Sequence, residues 1–185
     1  MKQIYFVITH TGTILSKIIK WYTKEKFTHV SIALDFQLTR MYSFGRLNPY
    51  NPFWGGFVHE QIQSGTFKRF KNTEAVVYSL TIQDKEYRRI EEKIEQMLQK
   101  KKEYGFNVRG LLSARKRKKR KKEKAFYCAE FVKSLLDQTS FSDEIPDVPR
   151  PVDFQMIKEN KLIYAGLLRK YPGKIQKEKE AKEVK

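Results

Sequence analysis

An extended apolar segment turns into a helix at residues 125–132, which read Ala125-Phe126-Tyr127-Cys128-Ala129-Glu130-Phe131-Val132. This stretch is informative because it joins a predicted strand to a predicted helix. It also places the only cysteine of the chain at their junction. Unpaired backbone N–H groups and the positive end of a helix dipole favour a thiolate at such a position. Cys128 also shares one face of the predicted helix with apolar side chains, so it fits a buried core position as well.

The bulk composition predicts one folded domain. The chain has 185 residues, of which 40% are hydrophobic and 14% aromatic, enough for a single core. We assign the domain to residues 1–171, with a basic loop at 113–124, and expect a charged, disordered tail at 172–185. A single cysteine favours a reducing compartment. Since we find neither a signal peptide nor a segment long enough to span a membrane, we expect a cytoplasmic protein.

The net charge of +17 is concentrated in segments. Eight consecutive Lys and Arg residues run from Arg115 to Lys122. The run has three interpretations: a solvated loop, a contact with an anionic membrane surface or polymer, and a nucleic-acid interface. Clustered cations at a lipid surface contribute about 1 kcal/mol each. Nucleic acid is disfavoured, because the aromatic residues that would stack on bases fall mostly in predicted strands.

Hydrophobic periodicity predicts a chain of mixed strands and helices. Strands are predicted at 3–9, 28–36, 41–46, 57–61, 65–70 and 75–81. Helices are predicted at 14–22, from Asp84 to about Tyr104, and from Cys128 onward, with a short helical start at Pro151 and a last apolar element at 161–168. The prolines and glycines of residues 47–56 predict an ordered loop, and residues 37–39 a turn.

His29 is the histidine best placed to act as a base. It lies in the strand-like segment Phe27-Thr28-His29-Val30-Ser31-Ile32-Ala33-Leu34, where an imidazole could take the proton of a cysteine thiol. A structural histidine, hydrogen-bonded in the core, is the alternative interpretation. A lone cysteine and a lone histidine far apart in sequence are weak evidence of catalysis by themselves. The sequence contains neither the ligand spacing of a metal site nor a glycine-rich nucleotide loop.

Further short motifs accompany the His29 and Cys128 segments. They are Thr-Gly-Thr-Ile-Leu-Ser at 11–16, Met-Tyr-Ser-Phe-Gly-Arg at 41–46, Gly-Gly-Phe-Val at 55–58 and Tyr-Ala-Gly at 164–166. In order and spacing, over residues 3–171, these segments resemble the YiiX/YebB-like proteins. That family is the circularly permuted papain-like branch of the NlpC-type cysteine hydrolases, and it includes relatives of lecithin retinol acyltransferase. In this branch the strand histidine precedes the helix cysteine.

The resemblance implies a fold and a chemistry. The implied fold is α+β and permuted papain-like, with an antiparallel sheet packed against helices. The implied activity is that of a cysteine hydrolase or acyltransferase that needs no cofactor or metal. Cys128 would be its nucleophile and His29 its general base, working through a thioester intermediate. The substrate would be a small-molecule, lipid or peptide acyl compound.

The family also implies a third polar residue that orients the imidazole, on the strand after the histidine. Pairing the predicted hairpin about Gln37 brings residues 43–46 opposite His29, and Ser43 is the small polar side chain there. We favour Ser43 over the alternative, Glu60, although a hydroxyl orients an imidazole more weakly than a carboxylate does. The residues expected to line the substrate pocket are His10, Thr11, Gly12 and Tyr127.

Two other functions stay open at this point. The first is a lipid- or peptide-binding module of the same fold with little or no catalytic activity. The second is a nucleic-acid-associated protein that uses the basic run Arg115–Lys122.

Overall fold

The computed structural model describes residues 1–12, 25–48, 50–107 and 125–173. Within these ranges the chain forms one eight-stranded sheet and three α-helices, so the expected mixture of strands and helices is confirmed. The predicted helix at 14–22, the basic loop at 113–124 and the tail from residue 174 onward lie outside the described residues. No helix in the described ranges is long and apolar enough to cross a bilayer.

The sheet orders its strands β7-β6-β4-β3-β2-β1-β5-β8. Neighbouring strands are antiparallel, except that β6 and β7 run parallel. The strands are β1 (Lys2–His10), β2 (His29–Ala33), β3 (Met41–Asn48), β4 (Asn51–Glu60), β5 (Glu74–Ile82), β6 (Gly105–Phe106), β7 (Ala125–Phe126) and β8 (Lys161–Leu167).

The central strand β1 is buried on both faces. Phe6 and Ile8 pack into the larger hydrophobic cluster on one face, whereas Tyr5 and Val7 pack into a smaller cluster on the other. Burying a large apolar side chain contributes about 1.5–3 kcal/mol. Burial on both faces explains why this segment reads as a continuous apolar run rather than a strict alternation.

The helices divide between the two faces of the sheet. They are α1 (Gly65–Arg69), α2 (Asp84–Gln99) and α3 (Cys128–Leu136). Helices α2 and α3 contribute their apolar stripes to the larger cluster, and α1 contributes Phe67 to the smaller one. Helix α2 ends at Gln99, earlier than predicted, and a 3-10 turn follows at Lys101–Glu103.

Two sequence-based predictions are wrong. Residues 47–56 are not a loop, because β3 and β4 continue through most of this segment as a hairpin with an irregular register between Arg46 and Asn48. Residues 65–70 are not a strand. They form the single-turn helix α1, which is too short to show a helical periodicity.

Candidate active site

Cys128 is the first residue of α3, as the sequence predicts. The helix start is held by Glu130, whose Oε2 accepts the backbone N–H of Tyr127 at 3.2 Å and the side-chain amide of Asn107 at 3.0 Å. Asn107 also donates its backbone N–H to the carbonyl of Phe126 at 2.8 Å. These contacts tie β6, β7 and the first turn of α3 together, so the position of the thiol is fixed from several directions.

Tyr127 anchors the segment that precedes Cys128. Its side chain is fully buried in the larger cluster, and its hydroxyl donates to the carbonyl of Pro149 at 2.8 Å. Its full burial gives no support to the expectation that it contacts substrate, which stays a prediction. Buried tyrosines commonly need such a partner for the hydroxyl.

His29, the first residue of β2, contacts Glu60 of β4. The imidazole Nε2 lies 3.0 Å from Oε1 and 3.3 Å from Oε2 of Glu60. Ser31 completes the cluster: its hydroxyl donates to Glu60 Oε2, and its Oγ lies 3.3 Å from His29 Nε2. The side chains of His29 and Glu60 are only 18% and 10% exposed, so water screens this charge pair weakly.

The preference for Ser43 as the orienting residue is corrected by this geometry. Ser43 is buried, and its hydroxyl donates to the carbonyl of Val30 at 2.7 Å. Glu60, the alternative, is the residue in contact with the imidazole. Glu60 could not be placed from the sequence, because treating 47–56 as a loop removed the β3–β4 hairpin that sets its register.

The hairpin register explains how Glu60 reaches a strand that is not its neighbour. Continuing the β2–β3 register, which pairs Ala33 with Met41, places Gly45 opposite His29 as predicted. Glu60 must therefore extend across β3. A Cβ atom at Gly45 would lie 3.5 Å from both Glu60 Oε1 and His29 Cε1, so the carboxylate–imidazole contact lies directly over this glycine.

Ser31 is a site residue that the sequence-based prediction missed. A strand places residues i and i+2 on the same face, so a polar residue two positions after a candidate base was the signal that could have identified it. Ser31 is fully buried. Its hydroxyl fixes the Glu60 carboxylate on the side that faces the imidazole.

His29 also interacts with Cys128, and the balance of its surroundings raises its pKa. Burial alone lowers the pKa of His29, but the charge of Glu60 and hydrogen bonds with Cys128 and Glu60 raise it, to about 10. These surroundings therefore favour the protonated form of the imidazole. The thiol at the start of α3 and the carboxylate on β4 thus act on one imidazole.

The other predicted pocket residues lie at the end of β1 and directly after it. Thr9 pairs with His29 in the β1–β2 register, so the next residues of the chain leave the sheet beside the histidine. His10 ends β1, and Gly12 has φ +67°, a backbone conformation that favours glycine. The role of His10, Thr11 and Gly12 in substrate binding stays a prediction.

His59 is not part of the cluster. Its Nε2 lies 2.7 Å from the carbonyl oxygen of Thr39, and its ring stacks on Tyr42. In the described part of the chain, no group of three or more His, Cys, Asp or Glu residues is arranged to hold a metal ion.

Comparison of the chain with family models, with curated proteins and with solved structures gave no match.

Proposed function

We propose that the protein is a cysteine hydrolase or acyltransferase with a permuted papain-like fold. One observation carries the proposal: a single imidazole, that of His29, interacts with a thiol at a helix start and with a buried carboxylate. This is the relationship between nucleophile, base and orienting group that activated nucleophiles use. The strand histidine before the helix cysteine also matches the order in the YiiX/YebB-like family.

The proposed resting state is an ion pair between a Cys128 thiolate and a His29 imidazolium. Nε2 donates to Glu60, which leaves Nδ1 for the sulfur. The raised pKa of His29, about 10, supports the imidazolium member of this pair. Glu60 stabilises the imidazolium by charge and fixes the plane of the ring.

The proposed reaction begins with attack of the thiolate on an acyl carbon of an amide or ester. The backbone N–H of Cys128 at the start of α3 would stabilise the oxyanion of the tetrahedral intermediate. As the intermediate collapses, the bond to the leaving group breaks and the imidazolium gives its proton to the departing amine or alcohol. His29, now neutral, takes a proton from water or another acceptor, which attacks the thioester and releases Cys128.

Labelling with an acyloxymethyl ketone probe tests the proposal, since the chain has one cysteine and any thiol adduct reports Cys128. We expect Cys128→Ala to abolish labelling, with Cys128→Ser as a control for packing. Hydrolysis of a panel of amides and esters by the wild type would then separate the two substrate classes. Labelling of the wild type no faster than that of a free thiol would contradict the proposal.

A second candidate, a binding module without catalysis, is favoured by one observation. Cys128 is only 3% exposed, so substrate has little direct access to the sulfur. In that case Cys128 would react slowly with every probe, while a fatty acid or short peptide would still raise the melting temperature by binding the folded state.

A further inference from the structure

Large apolar side chains are exposed at the tip of the β3–β4 hairpin. Leu47, Tyr50 and Trp54 lie within eight residues of one another and expose 39%, 78% and 60% of their surface. Side chains of this size are mostly buried in folded proteins. A group of them on one hairpin indicates a surface that contacts something other than water.

Basic side chains lie over two aromatic rings in this part of the structure, those of Tyr50 and Phe70. The guanidinium of Arg69, in the last turn of α1, lies 3.9 Å from the ring centre of Tyr50. Arg46 of β3 lies 5.9 Å from the ring centre of Phe70. The guanidinium of Arg69 lies 5.3 Å from the same ring centre, so two guanidinium groups lie over one ring.

Basic residues outnumber acidic residues in this part of the chain. Residues 41–73 contain four basic residues, Arg46, Lys68, Arg69 and Lys71, and one acidic residue, Glu60. The Glu60 carboxylate is directed at His29 and Ser31 within the sheet. The hairpin tip and α1 therefore form a cationic, aromatic surface, which we call the hairpin surface.

We propose that the hairpin surface docks on an anionic lipid bilayer. Tyrosine and tryptophan rings favour the headgroup region, where one end of the ring meets acyl chains and the other meets water. Each Lys or Arg near an anionic surface adds about 1 kcal/mol of attraction. Leu47 favours lipid over nucleic acid as the partner, because an aliphatic side chain cannot stack on a base but can enter the acyl region.

The docking site is independent of catalysis, and it consists of residues other than the basic run Arg115–Lys122. It also lies close to the proposed active site. Gly45, over which Glu60 reaches His29, is three residues from Asn48, about 10 Å along β3. Delivery of a lipid-borne acyl group to Cys128 would follow from docking, and that consequence alone rests on the proposed function.

Tryptophan fluorescence provides the direct test. The chain has two tryptophans, so Trp21→Phe leaves Trp54 as the reporter on the hairpin surface. We expect the emission of Trp54 to shift to shorter wavelength with vesicles of 3:1 phosphatidylcholine and phosphatidylglycerol, and less with phosphatidylcholine alone. Vesicle binding without a change in Trp54 emission would assign the contact to another surface and overturn the proposal. So would a response of Trp54 to single-stranded RNA in the absence of any response to vesicles.

Co-sedimentation with the same vesicles tests the residues. We expect Tyr50→Ala/Trp54→Ala to lower the partition coefficient at least about tenfold, and Lys68→Gln/Arg69→Gln to reduce the preference for anionic vesicles. The matched control is Met156→Ala/Leu162→Ala, which removes exposed apolar side chains outside the hairpin and should leave binding unchanged. Cys128→Ala should bind like the wild type. Equal binding by Tyr50→Ala/Trp54→Ala and the wild type would overturn the proposal.

Discussion

At the scale of single residues, the protonation of His29 is set by the groups that face it. The ring is nearly buried, which alone would favour the neutral imidazole, yet its pKa lies at about 10. The charge of Glu60 is the largest contribution in the raising direction, followed by the hydrogen bond with Cys128. A histidine that stays protonated at neutral pH holds a proton ready for a leaving group.

Glu60→Gln should lower the pKa of His29. The substitution keeps the size of the side chain but removes the negative charge that stabilises the imidazolium. Burial, which lowers the pKa of His29, is then less strongly opposed. NMR titration of the histidine Cε1–H signals measures the effect directly, and His59 serves as an internal control. An unchanged His29 titration in Glu60→Gln would show that the carboxylate does not set the charge of the ring.

Ser31→Ala should reduce probe labelling of Cys128 by about tenfold, because the carboxylate of Glu60 loses the hydroxyl that fixes it. The matched control is Ser43→Ala, which also removes a buried hydroxyl from the sheet but one bonded to the carbonyl of Val30. Both variants should lose stability, so labelling rates are compared well below their melting temperatures. A larger loss of labelling in Ser43→Ala than in Ser31→Ala would reverse this assignment.

At the scale of elements, the β3–β4 hairpin connects the site to the rest of the sheet. It carries Glu60 near one end and Gly45 beneath the carboxylate–imidazole contact. The absence of a side chain at position 45 lets a residue on β4 reach a residue on β2 across the strand between them. The hairpin thus sets the geometry of the cluster, although Cys128 and His29 lie on other elements.

Gly45→Val should separate Glu60 from His29 and lower probe labelling by about tenfold or more. A Cβ alone would lie 3.5 Å from the nearest site atoms, an ordinary van der Waals distance, whereas the two further methyl carbons would enter the space between them. Gly45→Ala is therefore the matched control and should label close to the wild-type rate. Equal labelling of the two variants would show that the contact does not pass over Gly45.

Local sequence patterns predicted the elements that carry Cys128 and His29, but they gave the third partner, Glu60, only as the alternative to Ser43. β1 and the start of α3 have apolar patterns that local packing dictates, and the β2–β3 turn could be centred on Gln37 from its flanking segments. The contact of Glu60 with His29 depends on the register of the β3–β4 hairpin. The prolines and glycines of residues 47–56 instead predicted a loop there. Long-range contacts between non-adjacent strands leave no local pattern, so they require the folded chain.

At the scale of the whole molecule, the site couples protonation to folding. The pKa of His29 is raised from its ordinary value of 6.5 to about 10 in the folded protein, so the folded state binds a proton more tightly than the unfolded chain. The resulting stabilisation is fully present below pH 6.5 and is lost as the pH rises through about 10.

The stability advantage of the wild type over Glu60→Gln should therefore be larger at pH 6 than at pH 11. Urea unfolding at a series of pH values gives the free energy of unfolding of each protein. Taking the difference between the two proteins cancels the titration of lysines and tyrosines that they share. A difference that stays constant with pH would show that the ion pair contributes nothing to folding.

The most direct test of the central claim, that Cys128 is activated by His29, is the rate of iodoacetamide alkylation at pH 7. Because the chain has a single cysteine, the rate reports Cys128 alone. We predict that His29→Ala slows alkylation on the order of 10²-fold, while His59→Ala reacts within about twofold of the wild type. Removing a side chain beside a buried thiol should increase access, so slower alkylation would point to lost activation. Alkylation of His29→Ala at the wild-type rate or faster would contradict the claim.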